Sequence, residues 1–120
     1  MPNEEFLRKF ADAWNRHDLT ALMSSMANDG VFITSSGSRF EGADAVCDAF
    51  AGVLEAFPDA KWSNDIHFVS GDRCLSEWTF TGTDADDGTV VSERGCDVFT
   101  FRGDKIAVKD TYLKSSPGGA

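Results

Sequence analysis

One carboxylate stands out as a candidate for chemistry because its neighbours are apolar. Asp97 alternates with Phe99 and Phe101 in a β-rich stretch, and alternate residues of a strand point to the same face of its sheet. That face should lie in the core or line a pocket, where a carboxylate is costly to keep charged unless it is paired. Asp97 is therefore a candidate acid, base or hydrogen-bond donor. The alternative is a structural aspartate that neighbouring amides or a lysine satisfy.

The group that faces Asp97 depends on the hairpin that follows it. A two-residue turn at Gly103–Asp104 would set Asp97 opposite Asp110. A three-residue loop would instead set Asp97 opposite Lys109. The first register matches apolar residues across the hairpin, whereas the second gives Asp97 a cation. A slip of one residue exchanges the faces of the last strand, so the two registers predict different chemistry.

Aromatic residues could form the wall of an apolar pocket around this carboxylate. The candidates are Phe10, Trp14, Phe32, Trp78 and Phe80. Each of them, taken alone, fits the core equally well, because ten phenylalanines in 120 residues must serve mainly in packing.

The two histidines are weaker candidates for catalysis. His17 lies beside Asp18 at the end of a predicted helix, and His67 alternates with Asp65 and Val69 on a predicted strand. Neither has a serine or cysteine at a spacing that indicates a nucleophile, and separation along the chain alone cannot establish a triad. The sequence therefore favours a structural role for both.

Metal and nucleotide sites find no support in the motifs. Cys47, Cys74 and Cys96 are odd in number and form no C-x-x-C pair, which favours reduced thiols over a disulfide framework or a zinc site. The acidic turn at 84–88 lacks the ligand spacing of a calcium loop. No glycine-rich phosphate loop follows a predicted strand. We therefore expect no metal and no cofactor.

Helices that could carry these residues are predicted in the first half of the chain. Amphipathic spacing indicates one helix over about residues 6–14 and a second with apolar residues at 19–26. Asp18 is the predicted N-cap of the second helix. A third helix begins at Ala43, and Pro58 ends it.

Strands dominate the second half, and their order predicts the fold class. A turn at 28–30 precedes the first strand, a loop at 35–38 follows it, and Gly95 could kink the longest strand. The predicted strands are 31–34, 62–69, 73–81, 89–101 and 106–113. We expect an α+β fold, with three N-terminal helices packed on a strongly curved, mostly antiparallel sheet and a conical pocket between them.

Length and charge limit the domain count and the partners. A chain of 120 residues fits one domain, predicted over residues 1–114, with a flexible tail at 115–120. The net charge of −9, with lysines and arginines scattered singly, argues against nucleic acid and acidic membranes as partners. No apolar run approaches the roughly 18 residues of a membrane span. The acidic start lacks a signal-peptide pattern, and we expect a cytoplasmic protein.

Four segments together resemble the SnoaL-like branch of the NTF2-like superfamily. They are FADAWNRHDL at 10–19, NDGVF at 28–32, EWTFTGT at 77–83 and RGCDVFTF at 94–101. The likeness extends over about residues 4–114. It implies a conical α+β barrel, a deep pocket and a homodimer through the outer face of the sheet. It does not name a reaction, since the superfamily includes isomerases, cyclases, dehydratases, epoxide hydrolases and non-catalytic binders.

The resemblance implies that only some catalytic positions of the relatives are kept. Where relatives resembling ketosteroid isomerase have a tyrosine and an aspartic acid that donate to an oxyanion, this chain has Phe10 and Asp97. The base of those enzymes corresponds to Thr34. A histidine and an aspartate of the polyketide cyclases correspond to Asp97 and Thr111. The same alignment places Lys109 and Thr111 inward with Asp97, and so favours the three-residue hairpin loop.

The sequence thus predicts a small-molecule pocket protein and leaves three interpretations open. One is a lyase, isomerase or cyclase that acts by acid–base chemistry on a hydrophobic, carbonyl-bearing substrate, with Asp97 as acid, base or oxyanion donor and Lys109 as its tuner. The others are a non-catalytic module that binds a small apolar ligand, and a structural dimer whose own side chains fill the pocket. The predicted pocket-lining residues are Phe10, Trp14, Phe32, Thr34, Trp78, Phe80, Phe99, Thr111 and Leu113.

Overall fold

The computed structural model describes residues 2–114, and the predicted tail at 115–120 lies outside them. The helices are α1 (Glu4–Asn15), α2 (Leu19–Ser25) and α3 (Ala43–Ala56). The strands are β1 (Met26–Ile33), β2 (Arg39–Glu41), β3 (Lys61–Ser70), β4 (Arg73–Thr83), β5 (Val90–Arg102) and β6 (Lys105–Leu113). The predicted class is confirmed: three helices lie against a curved, mostly antiparallel sheet.

The sheet has six strands in the order β2-β1-β6-β5-β4-β3. Only the β1–β6 pair is parallel, and the other pairs are antiparallel. Among the described strands, β2 and β3 form the two edges and do not pair with each other. The expected barrel is therefore an open, curved sheet whose concave side is covered by helices.

The helices begin and end where local signals place them. Asn3 caps α1 by accepting a hydrogen bond from the Phe6 amide at 2.8 Å, and Asp18 caps α2 by accepting one from the Ala21 amide at 3.1 Å, as predicted. Helix α3 ends at Ala56, just before Pro58. No helix of the described residues is long and apolar enough to cross a membrane.

Two elements before α3 differ from the sequence expectation. Residues 28–30 are not a turn, because β1 begins at Met26 and runs through them with a shift of register against β6. The short strand β2 follows the predicted loop at 35–38, in a segment where the sequence predicts no strand. Both differences arise from pairing with distant strands, which overrides the local turn preference of Asn-Asp-Gly.

The β3–β4 hairpin turns at Gly71–Asp72, where Ser70 pairs with Arg73. Farther along the hairpin, Asn64 and Asp65 together oppose a single residue of β4, which is a β-bulge. Asn64 has a φ of 54°, in the left-handed region that asparagine tolerates better than most residues. The bulge determines where the carboxylate of Asp65 points.

The β5–β6 hairpin corrects both predicted registers. The turn is the two-residue one, but a bulge at residue 107 then shifts the pairing, so that Asp97 faces Thr111. Neither Asp110 nor Lys109 is its direct partner: Asp110 faces Val98, and Lys109 faces Phe99. The extra residue lets both apolar Ile106 and Lys109 point inward, which strict alternation forbids because their separation is odd.

The core lies between α1, α3 and the concave face of the sheet. Leu7 and Phe10 of α1 and Phe50 of α3 are buried against Phe99 and Ile106 of the sheet. Aromatic pairs meet edge to face, as for Phe10 and Phe99, whose ring centroids are 5.7 Å apart. This core closes one end of the concave face and leaves a cavity beside it.

Candidate functional site

A cavity of about 300 Å³ lies beside the core on the concave face. Its wall is mostly apolar, and it runs from α1 and α3 to the inner side chains of β3–β6. Each residue predicted for the site lies on this wall: Phe10, Trp14, Phe32, Thr34, Trp78, Phe80, Asp97, Phe99, Lys109, Thr111 and Leu113. A structural dimer with a filled interior would leave no space beside Asp97, so the cavity favours the two interpretations that include a ligand.

Asp97 is buried, with only 6% of its surface exposed, and both of its carboxylate oxygens are engaged. Oδ2 accepts a hydrogen bond from Trp78 Nε1 at 2.9 Å. Oδ1 accepts from Lys109 Nζ at 3.0 Å and from Thr111 Oγ1 at 2.5 Å. Three donors, one of them a cation, offset the cost of burying this charge.

Lys109 is the buried cation of the cavity. Its ammonium donates to Asp97 Oδ1 and, at 3.1 Å, to Thr111 Oγ1. The same nitrogen lies 4.6 Å from the ring centroid of Phe32 and 5.4 Å from that of Trp14, distances typical of a cation–π contact. Within residues 2–114 the ammonium has no other hydrogen-bond acceptor, so one of its three N–H groups remains to donate to a ligand.

A second cluster of polar side chains, Asp65, His67 and Ser76, lies on β3 and β4, and the sequence analysis did not find it. His67 Nδ1 lies 2.7 Å from Ser76 Oγ, and His67 Nε2 lies 3.1 Å from Asp65 Oδ2. The His67 side chain is 3% exposed, Ser76 is buried, and the Asp65 side chain is 36% exposed. All three residues lie on the wall of the cavity.

The strand pairing unites the two polar groups. His67, Ser76, Asp97 and Thr111 are successive partners across β3, β4, β5 and β6, so they form one inward-facing row, which we call the polar row. Apolar residues flank it on the same face, including Trp78 and Phe99. A hairpin count would have revealed half of this row, because the Gly71–Asp72 turn sets His67 opposite Ser76.

Thr34 and the cysteines are poor candidates for chemistry. Thr34 Oγ1 is engaged within its own loop, 2.9 Å from Ser36 Oγ and accepting from the Ser38 amide. Burial raises the pKa of the Cys74 and Cys96 thiols, which lowers the thiolate fraction that a nucleophile needs. Residues 2–114 contain no group of three or more histidine, cysteine and acidic side chains placed to hold a metal ion.

The family of the chain follows from comparison with known sequences. A family model described as the SnoaL-like domain matches residues 7–109. None of the curated proteins matches the chain.

Solved structures show the same fold at low sequence identity. A candidate polyketide cyclase from Pseudomonas putida KT2440 has a TM-score of 0.85 and 18% identity, over 99% of this chain and 95% of that one. A hypothetical protein with a ketosteroid isomerase-like fold from Catenulispora acidiphila DSM 44928, in complex with trimethylamine, has a TM-score of 0.83 and 18% identity. That match covers 98% of this chain and 90% of the other. An NTF2-like protein of unknown function from Burkholderia pseudomallei K96243 has a TM-score of 0.80 and 19% identity, and the match covers 92% of this chain and 88% of the other. The NTF2-like fold prediction is confirmed.

Proposed function

Because the chain belongs to the SnoaL-like domain family, we propose that its cavity binds a small, largely apolar molecule through one carbonyl oxygen. The observation that carries this proposal is the uncommitted N–H of Lys109, a buried cation on an otherwise mostly apolar wall. A carbonyl oxygen accepts such a hydrogen bond without bringing a charge into the cavity. Hydrogen bonds from charged donors are stronger than those between neutral groups, so Lys109 would orient the ligand.

The same contact supports acid–base chemistry at a carbonyl. Transfer of a proton from the carbon next to the carbonyl to the imidazole of His67, which lies on the same wall, leaves an enolate, whose negative oxygen the Lys109 ammonium would stabilise. This step is shared by the isomerases, lyases and cyclases that the resemblance implies. The role of Asp97 is then to hold and orient Lys109. Both oxygens of Asp97 are engaged by donors, which makes this carboxylate a poor base.

A matched pair of probes tests the carbonyl contact. We expect acetophenone to bind about tenfold more tightly than ethylbenzene, since one charged hydrogen bond is worth about 1.5 kcal/mol or more. Tryptophan fluorescence reports binding, because Trp14, Trp62 and Trp78 line the cavity. The control is the double variant Asp97→Asn with Lys109→Met, which keeps the walls but removes the cation. Equal affinities for the two probes in the wild type, or an undiminished preference in the double variant, would overturn the proposal.

A non-catalytic binding module is the second candidate. It is favoured by the engaged oxygens of Asp97 and by Phe10 and Thr34, which stand where related isomerases carry a donor and a base. Proton exchange separates the two candidates. If the protein catalyses proton transfer, the methyl proton signal of acetophenone in D2O decays faster with wild-type protein than with the double variant. Binding without faster decay would establish the binding module.

We also propose a homodimer through the outer, convex face of the sheet and a cytoplasmic location. Phe68, Leu75 and Val98 are successive strand partners on this face, and Ile66 and Tyr112 share the next row of it with Glu77 and Cys96. Ile66, Phe68 and Tyr112 are half-exposed or more, and apolar residues grouped on a surface favour association. In the reducing cytoplasm, the three free cysteines would remain thiols.

A further inference from the structure

We propose that Ser76 is the nucleophile of an acyl-transfer site in this cavity, with His67 as its base and Asp65 as the group that positions His67. Ser76 Oγ and His67 Nδ1 are 2.7 Å apart, within the range that proton transfer between a nucleophile and its base requires. This site is distinct from the Lys109–Asp97 pair and uses the other half of the polar row.

Asp65 determines which nitrogen of His67 can act as the base. A neutral imidazole carries one proton, and its hydrogen bond to a carboxylate holds that proton on the bonded nitrogen. Asp65 Oδ2 lies 3.1 Å from Nε2, so Nε2 donates to Asp65 and Nδ1 carries the lone pair. Ser76 must then donate its hydroxyl proton to Nδ1. Its oxygen keeps its lone pairs for an electrophile in the cavity.

The backbone supports this arrangement on both strands. The bulge at Asn64–Asp65 brings the Asp65 carboxylate to His67, and bulges commonly redirect side chains beside active sites. Ser76 lies in the middle of β4 between two paired strands, which hold it rigidly. The His67 ring is 3% exposed, so bulk water has little access to the hydrogen bond between the base and the nucleophile.

The proposed reaction is the hydrolysis of a carboxylic ester in two steps, acylation of Ser76 and hydrolysis of the acyl-serine. Ser76 Oγ forms a bond to the carbonyl carbon while its proton moves to His67 Nδ1, and the C–O bond to the alcohol then breaks as His67 returns that proton to the leaving oxygen. Water repeats the sequence on the acyl-serine, releasing a carboxylic acid and free Ser76. Stabilisation of the intermediate oxyanion by the spare N–H of Lys109 rests on the proposed function.

The cavity limits the substrate to a small and neutral ester. The wall is mostly apolar and the volume is about 300 Å³, which suits a short acyl or aryl group. Asp65 and Glu93 lie on the same wall, and the chain carries a net charge of −9. Anionic esters would therefore be repelled.

Labelling with diisopropyl fluorophosphate tests the nucleophile without any assumption about the natural substrate. We expect one diisopropyl phosphoryl group per chain, with fluoride released, located on Ser76 by peptide mass spectrometry and lost in Ser76→Ala. The His67→Gln variant should react at least 100-fold more slowly, the usual scale of a lost general base. Ser92→Ala is the control and should label at the wild-type rate. Labelling that persists in Ser76→Ala, or that is unaffected by His67→Gln, would overturn the proposal.

Acetophenone binding distinguishes this site from the proposed function. A wild-type protein that binds acetophenone but leaves Ser76 unlabelled would contradict the nucleophile and leave the carbonyl contact intact. Labelling of Ser76 in a protein that does not prefer acetophenone over ethylbenzene would contradict the carbonyl contact and leave the nucleophile intact. Circular dichroism of each variant shows whether it folds, and where His67→Gln does not, Asp65→Asn takes its place.

The positioning role of Asp65 has its own readout. With p-nitrophenyl acetate, Asp65→Asn should lower kcat at least tenfold and leave KM nearly unchanged, because Asp65 acts through His67 and its charge does not affect the binding of a neutral ester. Asp65→Glu should restore part of kcat, since it returns a carboxylate to His67. A change in KM alone, or an Asp65→Glu variant as slow as Asp65→Asn, would show that Asp65 is merely structural.

Discussion

The carboxylate of Asp97 takes hydrogen bonds from two neighbouring strands, from Trp78 on β4 and from Lys109 and Thr111 on β6. The alternation of Asp97 with phenylalanines predicted its burial, and the structure confirms it. With three donors, this carboxylate holds Lys109 in place. We therefore assign the proposed chemistry to Lys109 and to the His67–Ser76 pair, and a positioning role to Asp97.

The ion pair can be tested by comparing single and double variants. Lys109→Met should lower the free energy of unfolding by about 3–5 kcal/mol, because it leaves the buried charge of Asp97 without its cation. Adding Asp97→Asn should recover much of this loss, since the asparagine can still accept from Trp78 and donate to Thr111. Urea unfolding measures both values. A double variant as unstable as the single one would contradict the assignment.

At the scale of elements, local patterns predicted the helices and the strands better than the strand partners. Asp18 and Pro58 mark helix ends through interactions within a few residues, so the sequence alone reveals them. The bulge at residue 107 and the strand β2 depend on which distant strands meet, and nothing local encodes that. The contact of His67 with Ser76 is different, because counting back from the Gly71–Asp72 turn would have set the two residues opposite each other.

Gly95 is required by the close approach of β5 to its neighbours. A Cβ at this position would lie 2.4 Å from the backbone oxygen of Tyr112 and 2.8 Å from the Trp78 ring. Gly95→Ala should therefore destabilise the protein by about 1–3 kcal/mol, the range for overpacking. Gly52→Ala is the control, because a Cβ there meets nothing within 4 Å on helix α3, and it should stabilise by about 0.5–1 kcal/mol. Thermal unfolding compares the two, and an equal effect would refute the steric argument.

Asp59 links the loop after α3 to the end of β4 in a pH-dependent way. The amide and hydroxyl of Thr83 donate to its carboxylate at 2.7 and 2.8 Å, and they hold the pKa of Asp59 below its usual value. A carboxyl with a lowered pKa contributes stability at pH values above its unfolded pKa of about 3.9 and loses it as the pH falls through the folded value.

Asp59→Asn should therefore be less stable than the wild type near pH 7 and similar to it near pH 2. Urea unfolding at several pH values measures the difference. Asp86→Asn provides a control for the loss of one negative charge, since Asp86 makes no contact with Thr83 among the described residues. A gap between Asp59→Asn and the wild type that persists unchanged at pH 2 would show that proton binding to Asp59 is not its cause.

At the scale of the whole molecule, the outer face of the sheet should set the oligomeric state. We expect light scattering to give twice the chain mass of 13.0 kDa at micromolar concentration. The net charge of −9 on each copy opposes association, so added salt should favour the dimer by screening this repulsion. Phe68→Glu, which places a charge beside Leu75 on this face, should give a monomer that still binds acetophenone. A wild-type monomer at high salt would contradict the dimer.

The bulged residue in β6, Ala107, determines which face of the sheet the following side chains of that strand occupy. If Ala107 took a regular place in the ladder instead of bulging, strict alternation from Ile106 would turn Lys109 and Thr111 outward, and Asp110 and Tyr112 would enter the interior. Gain or loss of a bulge at this point is thus a short evolutionary route by which a common scaffold could exchange the side chains of its cavity while its backbone stays nearly the same.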